Sequence, residues 1–432
     1  MLRKRGMVAR AKIDELGRAR AASDAVFARI SPAAMRLRAV RERHRFVFYL
    51  GHLDAFDANL LRHTAEVPSV RPAWDTLFAR GIDPVGGAAL PDDADTDWPP
   101  TDEVRAYARA TRAAIDAVLA RVEPGVILDA MIEHRWMHVE TLAYLMHQLP
   151  LGEVAAAPAA DLPRTFAPPR AHRITIPAGR ATLGTSGPGF AWDNERPARV
   201  VDVDAFAIDA YPTTNRDWLA FVEAGGYADP SLWTADDWAW RTADDVNAPR
   251  HWRRRRGAWM LRALTAEEPL PLDAPVYVSH AEARAFATWR HARLPTEAEW
   301  QRAAYGAPDD RERAYPWGDE APDATRGNFD CARDGTTPVG AHPRGNSAWG
   351  VHDLIGNGWE WTSSVFAPID PSVFTAQPFY PGYSADFFDG RHFVLKGGSP
   401  RTAARLLRRS FRNWFQPHYP HVYATLRLVE AE

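Results

Sequence analysis

Between residues 8 and 150 the apolar positions recur at spacings of three and four, the period of an amphipathic helix. This stretch is rich in Ala, Arg, Leu and Glu, and its glycines are few outside residues 81–100. The pattern predicts a helical bundle with one long loop. We expect its four helices at about 8–30, 34–64, 101–121 and 124–149.

The pattern changes in the second half of the chain. Residues 151–170 contain four prolines and several alanines, which is typical of an extended linker. From His172 onward, short alternating runs separated by turn residues predict strands, among them 173–177, 181–184 and 200–208. Helices are expected there only at 215–224, 280–291 and 296–305, the last opened by a Thr296-x-x-Glu299 capping box. The predicted fold class is therefore α+β, with domains at 1–150 and 171–432.

Composition and charge narrow the class of protein. The 432 residues are long enough for two domains with separate cores, and 46% hydrophobic with 25% charged residues is ordinary for a globular protein. The net charge of -3 gives no reason to expect nucleic acid or membrane as a partner. No apolar segment follows the basic N-terminus, and Cys331 is the one cysteine, which excludes an intrachain disulfide framework. We therefore expect a cytoplasmic protein.

Three histidines form the main candidate site. His134 and His138 are four residues apart, so on a helix both imidazoles project from one face. His52 interrupts an apolar run from Phe46 to Asp57, where a buried imidazole needs a polar partner. Three neutral histidines with open positions suit zinc or ferrous iron equally well. The alternative is that each is a surface or hydrogen-bonded core histidine.

Five motifs of the second half occur together and in order. They resemble the formylglycine-generating-enzyme-like (sulfatase-modifying factor) fold, an irregular, C-type-lectin-like α/β domain: Leu294-Pro-Thr-Glu-Ala-Glu-Trp300, Tyr315-Pro-Trp-Gly-Asp319, Gly327-Asn-Phe329, Gly356-Asn-Gly-Trp-Glu-Trp361 and Lys396-Gly-Gly-Ser399. The first half resembles a DinB-like four-helix bundle that carries a three-histidine iron site. His52, His134 and His138 match its ligands in order.

This pair of domains is typical of the sulfoxide synthases of ergothioneine and ovothiol biosynthesis. The segments 379–390 and 410–420 resemble the ergothioneine (EgtB-type) branch. The resemblance implies an Fe(2+) enzyme that uses O2 in a cleft between the domains. It would join a thiol donor, cysteine or γ-glutamylcysteine, to the imidazole of N-trimethylhistidine (hercynine) and oxidise the sulfur to a sulfoxide.

The resemblance also implies roles for particular residues. Asn413 and Trp414 match positions that hold the betaine, and a Trp face suits a quaternary ammonium group. Tyr380 and Tyr383 lie in the segment that carries a catalytic tyrosine, and we prefer Tyr380. The carboxylate of the donor needs a fixed cation, for which arginine is well suited. The candidates are Arg80, Arg409 and Arg412.

Departures from the family pattern leave the donor open. Arg135, Trp136 and Met137 stand where better-known members have glutamines that contact substrate, and Phe415 replaces an acidic residue of some members. The loop at 77–84 lacks the paired tyrosines of another branch. Pocket contacts set substrate choice, so a selenosugar donor, as in the related selenoneine synthases, is an alternative.

Three other functions compete with this interpretation. A formylglycine-generating enzyme uses a pair of active-site cysteines, and this chain has only Cys331. A non-catalytic binding module would not need the complete histidine set. A zinc-dependent thiol transferase of the DinB type would not need the C-terminal domain.

Overall fold

The structure is a computed structural model that describes residues 2–79, 81, 90, 92–121, 125–157 and 171–431, with side chains from Arg10 onward. It divides into two compact units. The first consists of Met1–Ala157 with two short later segments, Pro188–Phe190 and Gln377–Gly382. The second contains the remainder. Most of the predicted linker, residues 158–170, lies outside the described residues.

The described part of the first unit is helical, as expected. Its α-helices are α1 (Leu2–Ala28), α2 (Phe46–Leu61), α3 (Pro72–Leu77), α4 (Thr101–Leu119) and α5 (Val126–Met146). Contacts join α1 to α5, and α2 to both α4 and α5. In α2, every residue except Asn59 is buried, because neighbouring helices cover it on several sides. A side chain on α2 therefore faces other helices rather than solvent.

The prediction of one helix over 34–64 was wrong. Only a single 3-10 turn forms at Ala34–Arg36, and the backbone is extended at Arg45 before α2 begins. Arg38 and Arg45 instead reach the carboxylate of Asp93, at 3.3 and 3.0 Å. The segment before α2 thus makes contacts with a distant loop, which local periodicity could not reveal.

The second unit consists of small sheets with helices around them. Its strands are β1 (Arg173–Ile176), β2 (Gly179–Leu183), β3 (Arg199–Val203), β4 (Phe206–Asp209), β5 (Trp252–Arg255), β6 (Ala258–Arg262), β7 (Glu267–Pro269), β8 (Ala292–Arg293), β9 (Gly358–Val365), β10 (Phe393–Gly398), β11 (Asn413–Phe415), β12 (Ala424–Thr425) and β13 (Val429–Glu430). Its α-helices are α6 (Asn215–Glu223), α7 (Ala235–Ala243), α8 (His280–Trp289) and α9 (Glu297–Tyr305). Mixed α+β architecture is thus confirmed.

Two sheets have four strands each, in the orders β1-β4-β13-β8 and β11-β10-β9-β12. A pair β2-β3 and a three-stranded sheet β5-β6-β7 complete the described strands. The stretch 200–208, expected as one strand, is divided between β3 and β4, and α7 was not predicted. The capping box of α9 is confirmed, with the Thr296 backbone N–H donating to Glu299 across 2.7 Å.

Trp300 lies at the centre of the second unit. It is fully buried in an apolar cluster that includes Ile208 and Leu354, and its indole N–H donates to Glu360 across 2.7 Å. Glu360 in turn pairs with the buried Arg427. This core holds β9 in place. Strand β9 pairs with β10, and β10 pairs with β11, which contains Asn413 and Trp414.

Among the helices that the structure describes, none combines the length and the apolar character that a transmembrane segment requires.

Candidate metal centre

The helices α2 and α5 bring the three predicted histidines together. One ring nitrogen of each of His52, His134 and His138 lies within 4.8 Å of those of the other two. The Nε2 atoms of His134 and His138 are 3.0 Å apart, as expected for residues one turn apart on one helix face. All three side chains are buried, with 3–4% exposure. The cluster is therefore a closed group of nitrogen donors inside the bundle.

A backbone hydrogen bond fixes the orientation of His52. Its Nδ1 lies 2.7 Å from the carbonyl oxygen of Phe78, and because a carbonyl only accepts, Nδ1 carries the proton. The Nε2 atom is then an unprotonated acceptor. It is buried and has no hydrogen-bond partner among the described residues. A histidine ligand whose other nitrogen donates to a carbonyl is the common arrangement in metal sites.

Gly51 permits the close approach of Phe78. A Cβ atom at this position would lie 2.7 Å from three atoms of the Phe78 ring. Any side chain would therefore displace Phe78, and the carbonyl that orients His52 belongs to the same residue. Sequence reasoning missed this role, since a lone helical glycine carries no signal of what packs on it.

Aromatic rings cover the histidines. Phe56 stacks on His134 with ring centroids 3.4 Å apart, and Phe48 stacks on His52 at 4.9 Å. Tyr49 lies beside His138 at 5.7 Å. These rings keep water from the imidazoles and make their surroundings poorly polarisable, which strengthens electrostatic interactions there.

Burial determines the charge of the histidines. It lowers the pKa of His52 from 6.5 to about 4, although the hydrogen bond to Phe78 acts in the opposite direction. Burial also holds the pKa values of His134 and His138 well below the ordinary range, and the neighbouring histidines and Arg135 add to this. Near neutral pH the three rings are therefore uncharged, the form in which histidine binds metals.

The donor set fits a divalent transition metal. Three neutral imidazole nitrogens converge in a dry site, where a ring nitrogen without a partner is costly. Imidazole suits zinc and ferrous iron alike. The residues present can therefore hold either metal, and the nitrogen set does not select between them.

Tyr380 belongs to the first unit although it is distant in sequence. Its ring lies edge-on to Phe56 at 5.2 Å and to His134 at 6.5 Å. Tyr383, three residues later, belongs to the second unit, where it stacks on Trp192 at 4.0 Å. The two candidate tyrosines thus occupy different environments, and Tyr380 is the one near the histidines.

Asn413, Trp414 and Phe415 form strand β11. Trp414 is half-buried and stacks on Phe366 with centroids 4.2 Å apart, while Tyr383 meets it edge-on at 5.4 Å. The side-chain oxygen of Asn413 accepts from the Trp414 backbone N–H, and Phe415 stacks on Tyr419. Trp414 is thus part of an aromatic group in the second unit.

The candidate arginines differ in their surroundings. Arg412 is buried, pairs with both oxygens of Glu297 at 2.9 and 3.0 Å, and donates to the carbonyls of Asn194 and Ala367. Arg409 is partly exposed and pairs with Glu312. Arg80 lies outside the described residues. The substrate roles of all three stay predictions, and Arg412 is largely occupied by protein groups.

A buried ionic group beside the histidines was also missed. Arg135 contacts Asp54 and Asp57 inside the bundle. The sequence could have indicated this group, because two aspartates, like His52, interrupt the apolar run of α2 and need buried partners.

Comparisons with known proteins agree with this architecture. Residues 159–432 match the family model described as the sulfatase-modifying factor enzyme 1-like domain, and residues 15–148 match the DinB superfamily. The hercynine oxygenase of Mycobacterium tuberculosis is 37% identical over 332 residues, 75% of this chain and 77% of that protein. The hercynine oxygenase of Mycolicibacterium thermoresistibile is 37% identical over 343 residues, which are 76% of this chain and 74% of that protein.

A fungal relative covers more of the chain. Ergothioneine biosynthesis protein 1 of Neurospora crassa is 27% identical over 483 residues, 90% of this chain and 54% of that protein.

Fold and site together define a DinB-like helical region with a histidine cluster, followed by a sulfatase-modifying factor enzyme 1-like domain. The chain belongs to the EgtB-type family of oxygenases, which includes the hercynine oxygenases.

Proposed function

We propose that this protein is a non-haem iron(II) enzyme that uses O2 to join the sulfur of a thiol donor to the imidazole of hercynine as a sulfoxide. The observation that carries the proposal is the buried cluster of His52, His134 and His138, in which Nε2 of His52 has no hydrogen-bond partner among the described residues. The names of its relatives supply the substrate. Cysteine or γ-glutamylcysteine is the proposed donor.

The overall reaction balances without another reductant. One S–H and one imidazole C–H bond break, and a C–S bond forms. One oxygen atom of O2 becomes the sulfoxide oxygen, and the other leaves as water with the two hydrogens. A metal bound by the three histidines would supply the activation of O2.

The three histidines would hold the metal in their uncharged form. His52 keeps its proton on Nδ1 through Phe78, so Nε2 presents a lone pair. Phe48 and Phe56 cover the rings and exclude water, which protects reactive species from side reactions.

Tyr380 is the proposed proton donor. Its ring lies beside Phe56 and His134 within the same unit, which supports this choice over Tyr383. A phenol near the reacting sulfur can give or hold a proton at its oxygen.

The second unit supplies the proposed substrate contacts. Trp414 would receive the trimethylammonium group of hercynine against its ring, with Asn413 beside it. One face of the Trp414 ring is already covered by Phe366, which holds the indole in place. The carboxylate of the donor would pair with an arginine. Arg80 and Arg409 are preferred to Arg412, because Arg412 is already paired with Glu297.

The test is a product assay. Protein loaded anaerobically with iron(II) receives hercynine and one of cysteine, γ-glutamylcysteine or a selenosugar, air is admitted, and products are identified by mass spectrometry. A sulfoxide adduct supports the proposal and names the donor, and zinc-loaded protein is the matched control.

Three results would overturn it. A selenium adduct without any sulfur adduct would assign the chain to the selenoneine branch. Iron bound in full without any adduct would favour a binding module, and adduct formation with zinc alone would favour a thiol transferase.

A further inference from the structure

Arg135 is an arginine buried inside the bundle. One amino group of its guanidinium, Nη2, lies 2.8 Å from Asp54 and 2.6 Å from Asp57. The three side chains are 0–2% exposed. Arginine stays charged in proteins, so this group has to be paired wherever α5 places it.

On α2, the two aspartates that pair with Arg135 lie on a different side of the helix from His52. At about 100° per residue, Asp54 and Asp57 lie about 200° and 140° round α2 from His52. On α5, Arg135 lies about 100° from His134 and about 60° from His138, so its ion pairs hold the part of the helix next to both histidines. Two contact sets on different sides determine the rotation of a helix, whereas one set leaves it free to turn.

Other helices hold this ionic group in place. Arg135 Nη1 lies 3.3 Å from Ser23 Oγ of α1. Arg112 of α4 bridges Asp54 and Asp24 of α1, with contacts of 2.7–3.2 Å. The group therefore joins the four long helices of the first unit, and only one rotation of α5 satisfies it.

We infer that Arg135, held by Asp54 and Asp57, is a positioning residue of the metal centre that sets His134 and His138 opposite His52. This inference rests on the proposed function only in that the three histidines bind a metal. The inference also explains why an arginine lies between the two histidines of α5. Its side chain binds the two aspartates inside the bundle.

The test measures metal affinity, with activity playing no part. Cobalt(II) is titrated into metal-free protein against a competing chelator, and its visible absorption reports the ligand geometry. We expect Arg135→Met to weaken binding about 10- to 100-fold, as loss of groups that orient ligands commonly does, and to change the spectrum. Arg135→Lys keeps the charge without the planar fork and should fall between Arg135→Met and wild type.

Lys12→Met is the matched control. Lys12 of α1 pairs with Asp129 of α5 at 2.6 Å, so its loss removes an ion pair from the same helix without touching α2. Its cobalt affinity should equal that of wild type.

Four outcomes decide the matter. Wild-type affinity and spectrum in a folded Arg135→Met protein would overturn the inference, and so would an equal loss in Lys12→Met. If Arg135→Met loses its helical circular dichroism, Asp57→Asn is used instead, because Arg135 then keeps its ion pair with Asp54. Unchanged cobalt affinity in Asp57→Asn would also overturn the inference. A wild-type protein that binds no cobalt would instead contradict the proposed function.

Discussion

His52 donates its Nδ1–H to the carbonyl oxygen of Phe78 across 2.7 Å. This bond selects the tautomer in which Nε2 carries the lone pair, and Nε2 is buried without a hydrogen-bond partner among the described residues. The carbonyl lies just after the short helix α3, which the hydrophobic pattern did not predict. The orientation of one proposed metal ligand thus depends on a segment outside both helices that carry the histidines.

Loss of any one of the three histidines should abolish tight metal binding. Two imidazoles hold a metal weakly, and since loss of an orienting group alone costs about 10- to 100-fold, His134→Ala or His138→Ala should cost more than about 100-fold. Metal content after dialysis and O2 consumption measure this. His63→Ala is the control, because His63 is exposed beyond the end of α2. Stoichiometric iron in His134→Ala would refute the ligand assignment.

The stability of the metal-free protein should depend on pH through these histidines. His52 in the folded chain takes up a proton only near pH 4, while in the unfolded chain it does so near 6.5. The unfolded state binds more protons between these values, so the free energy of unfolding falls as the pH is lowered from 6.5 to 4. The difference corresponds to roughly 3 kcal/mol for His52.

Urea denaturation at several pH values measures this dependence. His52→Gln removes one titrating group, so its free energy of unfolding should fall less steeply with decreasing pH. Identical slopes for the variant and wild type would show that His52 stays exposed to water in the folded chain.

Gly51→Ala should disturb both packing and the metal centre. Its Cβ would meet the Phe78 ring at 2.7 Å, and overpacking of a well-filled core commonly costs about 1–3 kcal/mol. Displacement of Phe78 should also weaken metal binding. Gly17→Ala is the control, since a Cβ atom at this position would meet nothing within 4 Å. This substitution should stabilise the helix by about 0.5–1 kcal/mol. Thermal unfolding and cobalt titration distinguish the two variants.

Tyr380→Phe should slow turnover without weakening metal binding. A general acid contributes about 100-fold or more to rate, and the variant keeps the ring that packs on Phe56. Tyr383→Phe should have a much smaller effect, because Tyr383 is stacked on Trp192 in the second unit. Turnover rates at matched iron content measure this. The reverse order of the two effects would assign the catalytic role to Tyr383.

Trp414→Ala should weaken hercynine binding and leave iron binding unchanged. A cation over an aromatic face contributes about 0.5–2 kcal/mol, so the Michaelis constant for hercynine should rise roughly 2- to 30-fold. Trp414→Phe keeps a ring and should lose less. Trp259→Ala, in the three-stranded sheet β5-β6-β7, is the control. An unchanged Michaelis constant in Trp414→Ala would exclude the proposed contact.

The sequence by itself determined the helical and strand-rich halves, the capping box of α9 and the histidine pair on α5. These are local features, because the period of apolar positions and the spacing of His134 and His138 follow from helix geometry alone. It also singled out His52, since an imidazole in an apolar run needs a partner. The five motifs of the second half identified its domain.

Tertiary structure decided what depends on contacts between distant segments. Arg38 and Arg45 pair with Asp93 from a stretch that periodicity predicts as helix, and Phe78 fixes the tautomer of His52. Tyr380, more than 200 residues beyond α5, packs near His134, and Arg135 is held by two aspartates of α2. None of these pairings is periodic in sequence. They arise because buried charges and polar groups have to find partners, and those partners are set by how the chain packs.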